Sequence, residues 1–311
     1  MVSKVAVVQD CPVIFDCRAT IDKVGKISKE AAANGAKLLV FPEAFVSAYP
    51  KGLDFGAKIG LRTNQGREIF SLYYNSSLEL NGKEFKELLS IAKINKVYIS
   101  IGVIEKDRGT LYCTVLFISP AGDLIGKHRK IMPTAMERVV WGFGDGSTLP
   151  VIETPIGRMG AVICWENYMP MMRMAMYSQG IQIYCSPTAD DRETWISTIK
   201  HIAIEGRCYV LSACQYIHKE DCPKAYDYYF SQNKNNILMT GGSSIVSPFG
   251  DIISGPYRNE KKILYADIDL KEIIKGKYDF DVVGHYSRPD IFELSVNKSP
   301  LSPVKTFSKN N

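Results

Sequence analysis

Short apolar runs of strand character alternate with amphipathic helical stretches along nearly the whole chain, and this alternation leaves few architectures open. Residues 4–9 read as a strand, 19–34 as a helix ended by Gly35, and 38–41 as the next strand. Residues 84–94 are helical, and 97–104 and 111–118 read as strands paired across the turn at 107–109. A strand over 159–164 is followed by helix 171–179, strand 181–185, helix 194–205 and strand 209–214. Residues 243–246, 252–254 and 263–267 complete a second set of strands, with Pro248-Phe249-Gly250 as a turn. The chain thus divides into two loosely similar halves, each a βαβ unit followed by strands, with helices outside. It is an α/β protein. No linker separates the halves, so residues 1–296 are expected to form a single domain, and the Ser-, Pro- and Lys-rich tail 297–311 is expected to be loose.

Composition excludes several classes. A chain of 311 residues that is 46% hydrophobic can bury a large core. Mean hydropathy is near zero and no long apolar run occurs, which argues for a soluble protein without a membrane helix. Met1-Val2-Ser3-Lys4 leads straight into a strand, leaving no room for a signal peptide, so a cytoplasmic location is expected. The eight cysteines form no CxxC pair and the four histidines are thinly spread. No metal spacing emerges, and reduced thiols in a reducing compartment are expected. A net charge of +5 without a Lys/Arg stripe argues against a nucleic-acid partner.

Cys164 ends the apolar run Met159-Gly160-Ala161-Val162-Ile163, and Pro170 suits the first turn of the helix that follows. At such a strand-to-helix corner a side chain projects into a pocket and the next backbone N–H groups point the same way, as a nucleophile with an oxyanion hole requires. An inert buried cysteine is the plain alternative. Lys37-Leu38-Leu39-Val40-Phe41-Pro42-Glu43 places a carboxylate where another strand ends, and Gly126-Lys127-His128-Arg129-Lys130 brings cations to the end of an extended stretch before Pro133. Taken singly, Glu43 reads as a helix cap and Lys130 as a surface charge. A thiol, an acid and an ammonium at the ends of separate strands is how open α/β sheets build sites.

These segments resemble the nitrilases of the carbon–nitrogen hydrolase superfamily, and plant-type and arylacetonitrilase-like members most. The resemblance rests on Phe41-Pro42-Glu43-Ala44, His128-Arg129-Lys130-Ile131-Met132-Pro133-Thr134, Glu137-Arg138-Val139-Val140-Trp141-Gly142, Gly144-Asp145-Gly146-Ser147 and Cys164-Trp165-Glu166-Asn167. Pro187-Thr188-Ala189-Asp190 and the stretch from Asp279 to Pro289 extend it over nearly the whole chain. It implies a four-layer αββα sandwich, Glu43, Lys130 and Cys164 as a catalytic triad, Glu137 as a supporting glutamate, and dimers that often extend into spirals. A homo-oligomer is therefore expected.

The implied chemistry follows from what a nitrile needs. Its carbon reacts poorly with water, so a thiol activated by a base is useful. Glu43 would take the proton, its pKa raised by burial and tempered by Lys130. Lys130 and the Trp165 N–H would stabilise charge on the nitrile nitrogen. A thioimidate, then a thioester, would lead to acid and ammonia with no cofactor, with some amide admitted as a by-product. Glu137 would hold Lys130 or orient water, with a plain salt bridge as the other reading. Tyr49, Thr134, Trp165, Tyr168 and Thr188 are candidate pocket residues. Plant members commonly carry arginine at the position of Tyr168. Glu166, His128, His201 and His285 read as structural. An amidase or carbamoylase using the same triad, and a non-catalytic protein on the same scaffold, are the alternatives. Met169, Met171, Met172, Met174 and Met176 crowd the helix after Cys164, which suits a subunit interface with Met172 and Met176 as exposed members.

Overall fold

A computed structural model describes residues 2–302 and 304. The first half runs β1 (Val2–Gln9), α1 (Cys17–Ala33), β2 (Leu38–Val40), a small hairpin of β3 (Ala57–Lys58) and β4 (Leu61–Arg62), α2 (Asn64–Asn75), α3 (Lys83–Asn95), β5 (Tyr98–Asp107), β6 (Thr110–Ile118) and β7 (Leu124–Arg129). The second half holds β8 (Val151–Ile152), β9 (Met159–Ala161), α4 (Pro170–Tyr177), β10 (Ile183–Thr188), α5 (Thr194–Gly206), β11 (Tyr209–Cys214), β12 (Tyr216–His218), α6 (Asp227–Gln232), β13 (Ile237–Val246) and β14 (Ile252–Arg258). The chain then returns through β15 (Lys262–Asp269) and α7 (Leu270–Asp279).

One sheet has the order β15-β1-β2-β5-β6-β7 and the other β12-β13-β11-β10-β9-β8, with β14 beside β13. The two sheets face each other. Alternation along the strands shows why: Val5 and Val7 join Leu38, Val40, Met159, Ile183 and Leu211 in the core between the sheets. Ala6, Val8 and Leu39 point the other way, against Ile21 and Val24 of α1 and Leu88 of α3. Val162, Tyr184 and Val210 likewise back onto Met172 and Met176 of α4 and Trp195 and Ile199 of α5. The strands are therefore apolar on both faces, as sheets buried on both sides require. The result is a four-layer αββα sandwich.

The methionine helix differs from expectation. Met172 and Met176 are 4% and 0% exposed, packed in the core beneath the second sheet, whereas Met171 is 72% exposed. Met172 and Met176 are four residues apart and so share one face, the face that α4 buries with Ala175, while Met171 lies off it. In the tail, the backbone N–H of Leu301 donates to Asp145 Oδ2 at 2.8 Å and Lys298 Nζ to Gln179 Oε1 at 3.2 Å. Residues 303 and 305–311 lie outside the described residues. Among the described residues no helix is long and apolar enough to cross a membrane.

Candidate active site

Glu43 is delivered by backbone that runs on from β2. Phe41 N–H still pairs with the carbonyl of Ser100 at 2.8 Å, and Val46 N–H with that of Gly102 at 3.1 Å. Gly102 is required there: a Cβ would lie 2.2 Å from Pro42 O and 2.7 Å from Glu43 Cα. Positive φ angles at Ala44, Ser47 and Ala48 turn the chain away, so Glu43 caps no helix. Gln215 Nε2, from the opposite sheet, donates to the Glu43 carbonyl at 2.8 Å. The Glu43 side chain is fully buried; Oε1 accepts from Lys130 Nζ at 2.7 Å and faces the Cys113 thiol at 3.6 Å, while Oε2 has no hydrogen-bond partner among the described residues.

Lys130 immediately follows β7, held by its N–H to Cys113 O and its carbonyl to Gly144 N–H, each at 2.8 Å. Its ammonium sits between two carboxylates, Glu43 and Glu137, both at 2.7 Å. A one-turn 3-10 helix, Ala135–Val139, aims Glu137: Thr134 N–H donates to Glu137 Oε2 at 2.6 Å in a capping box. Tyr49 O–H donates to the other oxygen at 2.7 Å. Glu137 thus holds Lys130 directly.

Cys164 comes from the second sheet. Strand β9 ends at Ala161, earlier than the sequence reading, and a 3-10 turn, Cys164–Tyr168, precedes α4. Cys164 has φ 49°, a left-handed conformation rare outside glycine, and Asn167 Nδ2 pins its carbonyl at 2.8 Å. Strain of this kind points the thiol into the gap between the sheets. Thr188 O–H donates to Cys164 Sγ at 3.2 Å.

A cleft of about 210 Å³ opens above the thiol, lined by Tyr49, Thr134, Glu137, Trp165, Ala189 and the sequence Asp190-Asp191-Arg192, with Lys51 at its edge. Trp165 Nε1 donates to Asp190 Oδ2 at 2.8 Å, and the Arg192 guanidinium lies 5.0 Å from the indole centre. Two expected pocket residues lie elsewhere. Tyr168 does not line the cleft; its ring meets Trp165 and Trp195 edge-on. Thr188 is fully buried beneath the thiol. The sequence reading did not name Lys51, Ala189, Asp190, Asp191 or Arg192 as cleft residues. Asp191 and Arg192 stand just past the end of β10, next to the strand bearing Cys164, and that position was the available signal.

Burial governs the electrostatics. It pushes the Glu43 pKa up against the opposing pull of Lys130, and Glu137 adds to the rise. Burial also raises the Cys164 thiol, with Glu43 reinforcing it, while Lys130, Thr188 and the Ala189 N–H work the other way. Lys130 is disfavoured as a cation by burial, but the carboxylates of Glu43 and Glu137 outweigh that and hold it charged. The site therefore stores a protonated thiol beside a carboxylate with one unengaged oxygen.

A family model described as carbon-nitrogen hydrolase matches residues 4–278. An aliphatic nitrilase from Sinorhizobium fredii is 52% identical over 97% of this chain and 98% of its own length. A bifunctional nitrilase/nitrile hydratase from Lupinus angustifolius is 49% identical over 98% of this chain and 88% of its own. Among solved structures, Saccharomyces cerevisiae Nit3, from branch 10 of the nitrilase superfamily, covers 92% of this chain and 96% of its own with a TM-score of 0.70. At 22% identity that likeness establishes the fold. With its αββα sandwich and these relatives over nearly full length, the chain belongs to the carbon-nitrogen hydrolase family, among its nitrilases.

Proposed function

We propose that this enzyme hydrolyses an organic nitrile to its carboxylic acid and ammonia, with Cys164 as nucleophile, Glu43 as general base and Lys130 as the charge-stabilising cation. The observation that carries this reading is the buried contact of Lys130 with Glu43 at 2.7 Å beside the Cys164 thiol. Glu43 takes the thiol proton as sulfur adds to the nitrile carbon, and passes it to the nitrogen, which has gained the electron pair, so that Glu43 is free again as a base. Lys130 and the Trp165 N–H steady that nitrogen, a contribution of a few kcal/mol per donor, on the order of ~3. The thioimidate adds water, and collapse of the tetrahedral adduct expels ammonia to leave a thioester. A second water, deprotonated by Glu43, releases the acid and regenerates the thiol. If the adduct expels the thiolate instead, the product is the amide. That branch is kept because one relative is named a bifunctional nitrilase/nitrile hydratase.

The cleft admits a small aliphatic or arylaliphatic group against Trp165 and Tyr49. Glu137 acts by holding Lys130. We further read the protein as a cytoplasmic homo-oligomer, in line with its eight free cysteines and with the apolar residues α4 and α7 leave exposed, Met171, Ile274 and Tyr278. Incubating the purified protein with a nitrile panel and quantifying ammonia, acid and amide tests the activity. Acid with equimolar ammonia is the expected result; hydrolysis of amides alone would replace it with the amidase reading.

A further inference from the structure

Glu166 follows the nucleophile by two residues yet turns away from the cleft, and both it and His128 are fully buried. Three donors converge on its carboxylate. Oε2 accepts from the Ile163 N–H and from His128 Nε2, each at 2.9 Å, and Oε1 accepts from the Ile131 N–H at 2.6 Å. Ile163 immediately precedes Cys164, and Ile131 immediately follows Lys130. We propose that Glu166, locked in place by His128, is a positioning residue that sets the Cys164 thiol against the Lys130 ammonium. The proposal rests on the roles given above to those two groups.

The geometry makes the case. Cys164 is carried by one sheet and Lys130 by the other, and a single carboxylate grips the main chain of both within one residue of each reacting group. Main-chain donors fix the tilt of their peptide planes, so the grip sets orientation as well as distance. Displacement of about 1 Å at such a site costs on the order of a hundredfold in rate.

His128 supplies the lock. Its Nδ1 lies 2.7 Å from the Thr148 carbonyl oxygen and its Nε2 faces Glu166, so both ring nitrogens meet acceptors. Only the doubly protonated ring donates at both. Burial opposes that charge and so does the Lys130 cation, but Glu166 and the two hydrogen bonds outweigh them and raise the His128 pKa. When the ring loses a proton, one nitrogen is left with its lone pair against an oxygen, and the clamp loosens. His128 does not line the cleft, and its side-chain contact toward the site is the one with Glu166.

The test compares wild type with Glu166→Gln and His128→Gln. Glutamine at 128 keeps a donor toward Glu166 without the charge; glutamine at 166 turns one accepting oxygen into a donor. The readouts are kcat and KM per titrated site, melting temperature, and the rate at which iodoacetamide alkylates Cys164, followed on its own peptide by mass spectrometry across pH. We expect kcat to fall at least about tenfold in Glu166→Gln and about threefold or more in His128→Gln, with KM within about threefold. The wild-type alkylation profile should carry an inflection on the alkaline side that His128→Gln lacks. If Glu166→Gln does not fold, His128→Gln decides. A folded His128→Gln protein with wild-type kcat and an unchanged alkylation profile overturns the proposal. Should the wild type hydrolyse no nitrile, the functional reading falls, while an altered alkylation profile still supports the clamp.

Discussion

At the scale of single residues, the site is a buried network of one cation and two carboxylates set beside a thiol. Cys164→Ala should abolish turnover and leave the melting temperature nearly unchanged, because only one sulfur and its contacts with Thr188 and the Ala189 N–H are lost. Cys164→Ser should be almost inactive, since an alkoxide is far harder to form than a thiolate. Steady-state assays beside thermal melts check both, and substantial activity in either variant would mean another residue attacks. Glu43→Gln and Lys130→Met should each lose at least about a hundredfold in kcat/KM, and the double variant little more. Lys130→Met should also melt lower than Glu43→Gln, because it leaves two neighbouring carboxylates without their cation. The pH dependence follows from the direction of the Glu43 shift. Its raised pKa means the base is lost as pH falls through that value, so the acid limb of kcat/KM should lie above the usual range for a glutamate, near 4.3. An acid limb at or below that value would remove Glu43 from the role.

At the scale of elements, Gly102 of β5 and the 3-10 turn at Cys164 position the chemistry. Gly102→Ala should force the Pro42–Glu43 backbone off its strand, lowering stability by roughly 1–3 kcal/mol and activity by more than that loss of folded protein explains. Denaturant titration with active-site titration checks this; an unstrained, fully active variant would show that the backbone contact does not place Glu43. Strand β7 offers a second test, through His128. Its raised pKa stabilises the fold fully below the ordinary value of about 6.5, and this is lost as pH rises through the folded value. The melting advantage of wild type over His128→Gln should therefore shrink with rising pH, and a gap constant across pH would count against it. Most of these elements are legible in the sequence, because strands buried on both faces leave unbroken apolar runs. Helix α2 is not, since only Gly66 and Tyr73 of its residues are buried and the rest of its apolar face, Ile69, Phe70 and Tyr74, is only partly covered by the core. Helix α7 hides for the same reason, with only Ile273 and Gly276 buried. Strand β7 reads only as an extended stretch ending near Lys130, because its Lys-His-Arg composition at a sheet edge gives no apolar run, and Cys113, which touches Glu43, carries no motif that marks it. The ends of strands bearing Glu43, Lys130 and Cys164 could be read in sequence; which neighbours converge on them from the opposite sheet could not.

At the scale of the whole molecule, burial decides which methionines of α4 are available to another subunit. Glutamate at Met172 or Met176 should unfold the second sheet's outer layer, whereas Met171→Glu should lower oligomer size with the monomer fold intact. Light scattering beside circular dichroism separates the two outcomes, and an unchanged assembly in Met171→Glu would exclude α4 from the interface. The route of the chain carries a further consequence. Strand β15 pairs with β1 over its full length, from Val2 opposite Asp269 to Gln9 opposite Lys262, so a strand that precedes Glu43, Lys130 and Cys164 in the sequence is completed by one that follows all three. Until β15 has been made, β1 presents an unsatisfied edge. A nascent chain interrupted before residue 262 carries Glu43, Lys130 and Cys164 yet lacks the strand that seals their scaffold, and it becomes a client for chaperones rather than a slow enzyme.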